Sequence, residues 1–464
     1  MKRISIEEAA RAAGGRLLRK GKKDHITGVR HDSRECGEGD LFVAVKGENR
    51  DGHEYISQAV RNGCAAVMVS CGGEWMRQIE EADASVIEVA DTVEALGMLA
   101  KHYLESLHLK KVAVTGSVGK TTVRDMIYYV LSEKYRCGRN IKNYNNEIGL
   151  PLSILRFDED TEAAVLELGM SDFGEIDSLA GIIKPDVGVI TNIGVAHIEH
   201  LGSREGIFRA KMEMAPHIGD GSGKGTLIFA CDNDMLTKET TAGNYRQICV
   251  GENGKSDYII SDIDDRGVGG ISFTLEHKEQ TYRIELPVAG RHNAVNAALA
   301  IAVGETMGVD IEDAARGLMN TKLTGSRLNI IDCGGFKIID DTYNASPDSM
   351  KGALKVLEKS PGSKKTAVLG DMYELGSDSE RQHFGVGVFA RGLDIDVIVT
   401  IGSEAEKIAD GASGGRAEVY KYVKKEDFYD KIDELKKEGS IILVKGSRGM
   451  EMERIVEKLL EKQE

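Results

Sequence analysis

No surplus of positive charge runs through this chain, and that removes one class of partner at once. Its 60 Lys and Arg stand against 75 Asp and Glu, for a net charge of −15. A protein that binds duplex nucleic acid carries a basic excess to displace counterions, so no nucleic-acid partner is expected. An anionic substrate must instead be held by local cations and backbone N–H groups, against the field of the whole molecule. Cysteine is sparse and unpatterned: seven residues, at 36, 64, 71, 137, 231, 249 and 333, an odd number with no C-x-x-C. This argues against a disulfide framework and a structural zinc site, and for a reducing compartment. No apolar run approaches the length of a membrane span. The opening Met1-Lys2-Arg3-Ile4-Ser5-Ile6-Glu7-Glu8 reaches acidic residues before any signal core forms. A cytoplasmic location is expected. Proline is scarce too, 6 against 54 glycines, which leaves tight turns and close backbone approaches to glycine. Internal repeats and low-complexity tracts are absent.

What is present is the composition of a folded protein, 41% hydrophobic and 29% charged. At 464 residues the chain exceeds one ordinary core and predicts several domains. The pattern is α/β throughout, and three domains are expected, at 1–108, 109–322 and 323–464. In the first, strands are predicted at 41–45, 65–69 and 86–89, with helices at 7–13 and 55–62. A helix at 92–107 leads into the second, a central P-loop ATPase-like parallel sheet. Its strands are predicted at 111–115, 163–168, 187–191 and 226–230, with an antiparallel side sheet over 258–288 and a helix from Asn293. The third domain is Rossmann-like, with strands at 336–340, 366–369, 397–401 and 441–444 and helices at 349–358, 380–390 and 426–437.

The strongest motif is Thr115-Gly116-Ser117-Val118-Gly119-Lys120-Thr121-Thr122, at a strand–helix junction. Glycines let N–H groups close around phosphate oxygens, and the helix N-terminus adds positive potential. Lys120 can reach terminal phosphates, and the Thr121 hydroxyl can ligate Mg²⁺. The spacing is not the strict Walker form, because Val114 stands where G-x-x-x-x-G-K begins. The plainer alternative is a glycine turn capping a helix; Gly-Lys-Thr-Thr at this junction favours nucleotide. Glu167 ends the next strand, on the same sheet edge if the sheet is parallel, and His197 follows another. Each alone is more often structural than catalytic; together on one P-loop sheet they become candidate ligands. His197-Ile198-Glu199-His200 has the spacing of a zinc pair, but no further ligand accompanies it.

At this point independent blocks fall into one order. They are the G-S-V-G-K-T-T loop; Asn143-Tyr144-Asn145-Asn146-Glu147-Ile148-Gly149; Glu167-Leu168-Gly169 with Gly174-Glu175-Ile176; Asn192 with His197; and Gly290-Arg291-His292-Asn293 with Asn296. Gly325-Ser326-Arg327, Asp340-Asp341-Thr342-Tyr343-Asn344-Ala345-Ser346-Pro347 and Lys445-Gly446-Ser447-Arg448 complete the series. The chain resembles the Mur ligases over nearly its whole length. The likeness is greatest to the member that joins D-alanyl-D-alanine to a UDP-N-acetylmuramoyl-tripeptide. It departs from that pattern at Ser346, where the family reads Asn-Ala-Asn-Pro. The member that adds a single third amino acid carries Asp-Asn-Pro-Arg, which this sequence lacks.

The resemblance implies an ATP-dependent, amide-forming ligase that works as a monomer with two Mg²⁺ ions. It implies a nucleotide site of Gly116, Ser117, Val118, Gly119, Lys120, Thr121, Thr122, Asn293, Arg327, Asp341 and Tyr343. It makes Thr121, Glu167, His197 and a carbamylated Lys211 the metal ligands. Lys120, Glu167, His197, Lys211 and Arg327 become the catalytic set. By itself Lys211 reads as a solvated helix lysine; only the family likeness gives it another role. Ser33 and Arg34, and Asn145 and Asn146, are the candidate substrate contacts, the first pair for the uridine nucleotide. A rival of another class is a nucleotide-dependent protein that binds wall precursors without catalysis. It could dispense with Glu167, Lys211 and Arg327 together, and all three are present.

Overall fold

The computed structural model describes residues 1–464 except 48–49, 73–74, 76–82, 196–197, 222 and 462–464. Three large sheets follow one another along the chain. The first runs Arg16–Arg19, Ser85–Val89, Ala66–Ser70, Asp40–Val43, Gly28–Arg30, parallel except at the Arg16–Arg19 edge. The helix Thr92–Leu107, capped by Asp91 through the N–H groups of Val93 and Glu94, carries the chain onward.

The central sheet has nine strands. Seven are parallel, in the order Tyr258–Asp265, Arg246–Gly251, Thr226–Ala230, Val187–Ile190, Lys110–Thr115, Ala163–Glu167 and Cys137–Arg139. Ile271–His277 and Gln280–Leu286 add antiparallel strands to the Tyr258–Asp265 side. The expected side sheet at 258–288 is therefore no separate sheet. Tyr258–Asp265 bonds to Arg246–Gly251, and the hairpin prolongs the central sheet. The innermost strands are apolar on both faces, as a sheet covered twice requires: Val112, Ala113, Val114, Ala164, Val165 and Leu166 are all fully buried. The helix Lys120–Ser132 packs over them and is itself covered by Asn293–Met307 and Ile311–Met319. Even its charged residues Arg124 and Asp125 are buried.

The third sheet has the order Asn329–Asp332, Lys337–Asp341, Ser440–Lys445, Lys364–Gly370, Val397–Ile401, Glu418–Tyr422. All its pairings are parallel except that of Asn329–Asp332 with Lys337–Asp341. The helix expected at 426–437 is two short pieces, Glu426–Tyr429 and a tighter turn Ile432–Leu435. Bonds from Lys431 N–H to the Phe428 carbonyl and from Glu434 N–H to Lys431 close three-residue turns there. This still buries Phe428, Ile432 and Leu435 on the sheet. Among the described residues no helix is long and apolar enough to cross a membrane.

Candidate active site

Parallel strands bring their C-terminal ends to one edge, and this places the motifs together. Val114 pairs with Glu167 and with Val189, so the phosphate loop, Glu167 and the segment after Ile190 emerge side by side. The loop takes its shape from close approach. At Gly116, with φ +150°, a Cβ would meet the Thr191 hydroxyl oxygen at 1.8 Å, so no side chain fits. The N–H groups of Ser117 and Val118 both donate to the Asn192 side-chain oxygen, at 3.1 and 2.9 Å. Thr191 donates its hydroxyl to the Val118 carbonyl at 2.6 Å, and the Ser117 hydroxyl accepts from Gly194 N–H at 2.9 Å. The helix that follows begins at a left-handed Gly119 with no side-chain cap. Its first-turn dipoles thus face the cleft, the arrangement that favours an anion.

Lys120 donates to the Gly116 carbonyl at 2.8 Å. Desolvation lowers its pKa and the Arg327 cation lowers it further, while Glu167 acts the other way. Thr121 donates its hydroxyl to Glu167 Oε2 at 2.8 Å, and Asn145 donates to Oε1 at 2.8 Å. Arg124 reaches the same carboxylate at 3.5 Å. Asn140 holds the Glu167 backbone from both sides. Lys211 lies on the helix Arg204–Met212, begun by a Ser203 cap on Gly206 N–H. It is 1% exposed. Burial pushes its pKa well down, and the neighbouring Lys120 pushes it further. Among the described residues it has no carboxylate partner within ion-pair distance.

The third sheet closes the site from the other side. Arg327 lies over the Tyr343 ring, 4.0 Å from its centroid. Asp341 accepts from Lys445 at 2.6 Å, both well buried, and from the N–H of Leu328 at 3.1 Å. Lys445 also holds the Asn344 carbonyl at 2.8 Å. A cleft of about 610 Å³ is lined by Ser117, Val118, Gly119, Lys120, Thr121 and Thr122 from the loop, by Asn293, and by Arg327, Asp341 and Tyr343 from the far side. Of the expected nucleotide-site residues only Gly116 is not on that surface; it is packed against Thr191.

Other expected residues lie apart. Glu167 and Lys211 are buried and do not line the cleft. His197 is outside the described residues. Asn293 borders the cleft, but its amide donates to the Ala289 carbonyl and accepts from Asn296. Asn145 is committed to Glu167, and the Asn146 side-chain oxygen accepts the Gly149 N–H. Ser33 and Arg34 lie in the turn between the first-sheet strands Gly28–Arg30 and Asp40–Val43 and do not line the cleft. Ser33 bonds Gln58, and the exposed Arg34 pairs with Asp32. Arg124, Asp125 and Arg139 escaped notice in the sequence. A charged residue within a helix carries no mark that separates a buried network from a solvated face.

The sequence matches three family descriptions in chain order: "Mur ligase family, catalytic domain" at residues 25–104, "Mur ligase middle domain" at 114–304 and "Mur ligase, glutamate ligase domain" at 326–448. The UDP-N-acetylmuramoyl-tripeptide–D-alanyl-D-alanine ligase of Bacillus subtilis is 42% identical over 94% of this chain and 93% of its own length. The crystal structure of MurF from Acinetobacter baumannii superposes with a TM-score of 0.90 at 32% identity, covering 100% of each chain. The MurF ligase of Thermotoga maritima in complex with ADP superposes at 0.81 with 32% identity, over 93% of this chain and 97% of that one. With the motifs, their geometry and these likenesses in agreement, the chain belongs to the Mur ligase family.

Proposed function

We propose that this protein joins D-alanyl-D-alanine to UDP-N-acetylmuramoyl-tripeptide at the expense of ATP, through an acyl phosphate. The observation that carries the reading is the single cleft in which the phosphate loop of one sheet faces Arg327 and Tyr343 of another. Residues 109–322 hold the nucleotide, 323–464 close over it, and 1–108 take the uridine end of the substrate through Ser33 and Arg34. One chain supplies both walls of the cleft, which fits action as a monomer. Free thiols at all seven cysteines fit the cytoplasm.

The tripeptide carboxylate attacks the γ-phosphorus, ADP leaves, and an acyl phosphate forms. The dipeptide amine then attacks that carbonyl, expels phosphate and loses a proton. Two anions must meet in the first step, so positioning and charge dominate. Lys120 and Arg327 supply cations from opposite walls, and the uncapped helix start adds its dipole. Closure excludes the water that would hydrolyse the intermediate.

The donor set fits Mg²⁺. The Thr121 hydroxyl and Glu167 carboxylate, 2.8 Å apart, are hard oxygen donors beside the loop, with His197 as the further candidate. Two Mg²⁺ ions bound there would neutralise charge between triphosphate and carboxylate. As an amine Lys211 is a poor ligand for such an ion; as a carbamate it offers oxygens. Its burial and the adjacent Lys120 favour the neutral amine, the form that attacks CO₂ and releases a proton.

The test is direct. With ATP, UDP-N-acetylmuramoyl-tripeptide and D-alanyl-D-alanine, the protein is expected to release phosphate and a joined product of the summed mass less water. If the protein instead joined a single amino acid to the dipeptide precursor when given those two with ATP, the third-residue ligase would be selected. Binding of nucleotide and precursor without phosphate release would select the non-catalytic rival.

A further inference from the structure

Asp125 stands in the second turn of the phosphate-loop helix and is wholly buried. Its Oδ1 accepts from Arg124 at 2.6 and 3.0 Å and from Arg139 at 2.8 Å. Its Oδ2 accepts the backbone N–H of Thr324 at 2.6 Å, from a residue 199 positions further along the chain. Arg124, equally buried, turns its remaining nitrogen to the Lys142 carbonyl at 2.7 Å and to Glu167 at 3.5 Å. One carboxylate thus ties the surroundings of Glu167 to the segment that runs into the third sheet.

That segment is fastened again two and four positions later. The Ser326 carbonyl accepts from Tyr343 N–H at 3.1 Å, and Leu328 N–H donates to Asp341 at 3.1 Å. Between the first two fastenings stands Gly325, at φ +77°. The link between those two is thus a single residue long, and Arg327 follows two positions beyond. A buried ion cluster is a weak stabiliser, because desolvation offsets the attraction. What this one supplies is an acceptor at a fixed point.

We propose that Asp125 is a positioning residue for phosphoryl transfer: by holding the Thr324 N–H it sets the pivot from which Arg327 is delivered to the phosphate loop. This rests on the reading that Lys120 and Arg327 serve one triphosphate. The tether itself is independent of that reading.

Two variants test it in the full-length enzyme. Asp125→Asn keeps the size but can present an acceptor on only one of its two sides. Thr324→Pro deletes the donor and leaves every charge in place. Both are expected to lower kcat roughly tenfold to a hundredfold, the scale of a catalytic group displaced by about 1 Å, with KM for ATP changed less than kcat. In an Arg327→Ala background the same substitutions are expected to cost little more, because their effect passes through Arg327. Equal losses of kcat with and without Arg327 would overturn the proposal, as would unchanged kcat in a folded Thr324→Pro enzyme. Amide hydrogen exchange on the unmodified protein provides a measurement that no misfolded variant can obscure. Slow exchange at Thr324 is expected, and fast exchange there would end the proposal. If Arg327→Ala alone left kcat intact, the reading of the cleft would fail, while the exchange result would still judge the tether.

Discussion

Lys120 stands near the buried Lys211, and its charge adds to the desolvation that lowers the pKa of that amine. The lowered value of Lys211 means that the unfolded chain binds a proton the folded chain does not, at any pH between the two values. Stability then rises with pH across that window, since ∂ΔG/∂pH follows the excess of protons on the unfolded state. Lys211→Met is expected to remove that slope. It should raise stability near neutral pH by about 1–3 kcal/mol, the scale of the desolvation cost of a buried polar group. It should also lower kcat by roughly 10²–10³-fold, as loss of one preorganised charge does. The check is a pair of melting curves at two pH values beside a phosphate-release assay. An active Lys211→Met enzyme would remove the carbamate from the account.

Carbamylation releases a proton, so the same reading predicts a dependence on CO₂. In degassed buffer at low pH the enzyme is expected to lose activity, and bicarbonate should restore it. Lys211→Met should show no response to bicarbonate. Intact-protein mass at higher pH should carry one CO₂ adduct, absent from the variant.

Arg327 and Tyr343 form a stacked pair at 4.0 Å. A planar guanidinium can lie on the ring and still face a phosphate, which a lysine ammonium cannot do. Arg327→Lys is therefore expected to lose about tenfold or more in kcat despite keeping the charge. Tyr343→Phe, which keeps the ring, should retain the stack; Tyr343→Leu should lose it, at about 0.5–2 kcal/mol. Steady-state kinetics on the three variants separate ring from charge. Equal activity in Arg327→Lys and the parent enzyme would mean that the stack does not matter.

These predictions also mark what was legible in the residues. The phosphate loop announces itself because Gly-Lys-Thr-Thr at a strand–helix junction has few other uses, and the central strands because both their faces are apolar. Glu418–Tyr422 was not legible: it is a largely exposed edge strand with no apolar run. Cys137–Arg139 is too short to show a period. The hairpin at 271–286 was seen as strands but not as part of the central sheet. Alternation gives the period of a strand, not its neighbour. Asp125 and Arg124 carried no signal, since burial of a charge depends on partners 14 to 199 positions away. The Asn145–Glu167 bond is of the same kind: the side chain was visible as a candidate, but its partner was not.

Thr121 meets Glu167 through a hydroxyl, and that contact can be removed without changing shape. Thr121→Val is expected to raise the Mg²⁺ concentration needed for half-maximal activity by about 10–100-fold, the scale on which groups around a metal act. Thr121→Ser keeps the hydroxyl and should stay near the parent value. The measurement is a Mg²⁺ titration of phosphate release at saturating ATP. If valine and serine behaved alike, the hydroxyl would have no part in holding the ion.

Gly325 and Gly334 give a matched pair for the pivot. Both have positive φ, +77° and +83°, so alanine at either should be strained by about 1–2 kcal/mol. Their surroundings differ. A Cβ at Gly325 would touch the Tyr343 ring at 3.4 Å, whereas at Gly334 nothing lies within 4 Å. Gly334→Ala, in the turn between Asn329–Asp332 and Lys337–Asp341, should therefore lower the melting temperature and leave kcat alone. Gly325→Ala can relieve its strain only by moving the segment that bears Arg327 or the ring beneath that side chain. It should lower kcat as well as stability. Melting curves and kcat for both variants decide the matter. Two variants that lose the same stability and the same activity would mean that the backbone at 325 is an ordinary turn, with no bearing on where Arg327 sits.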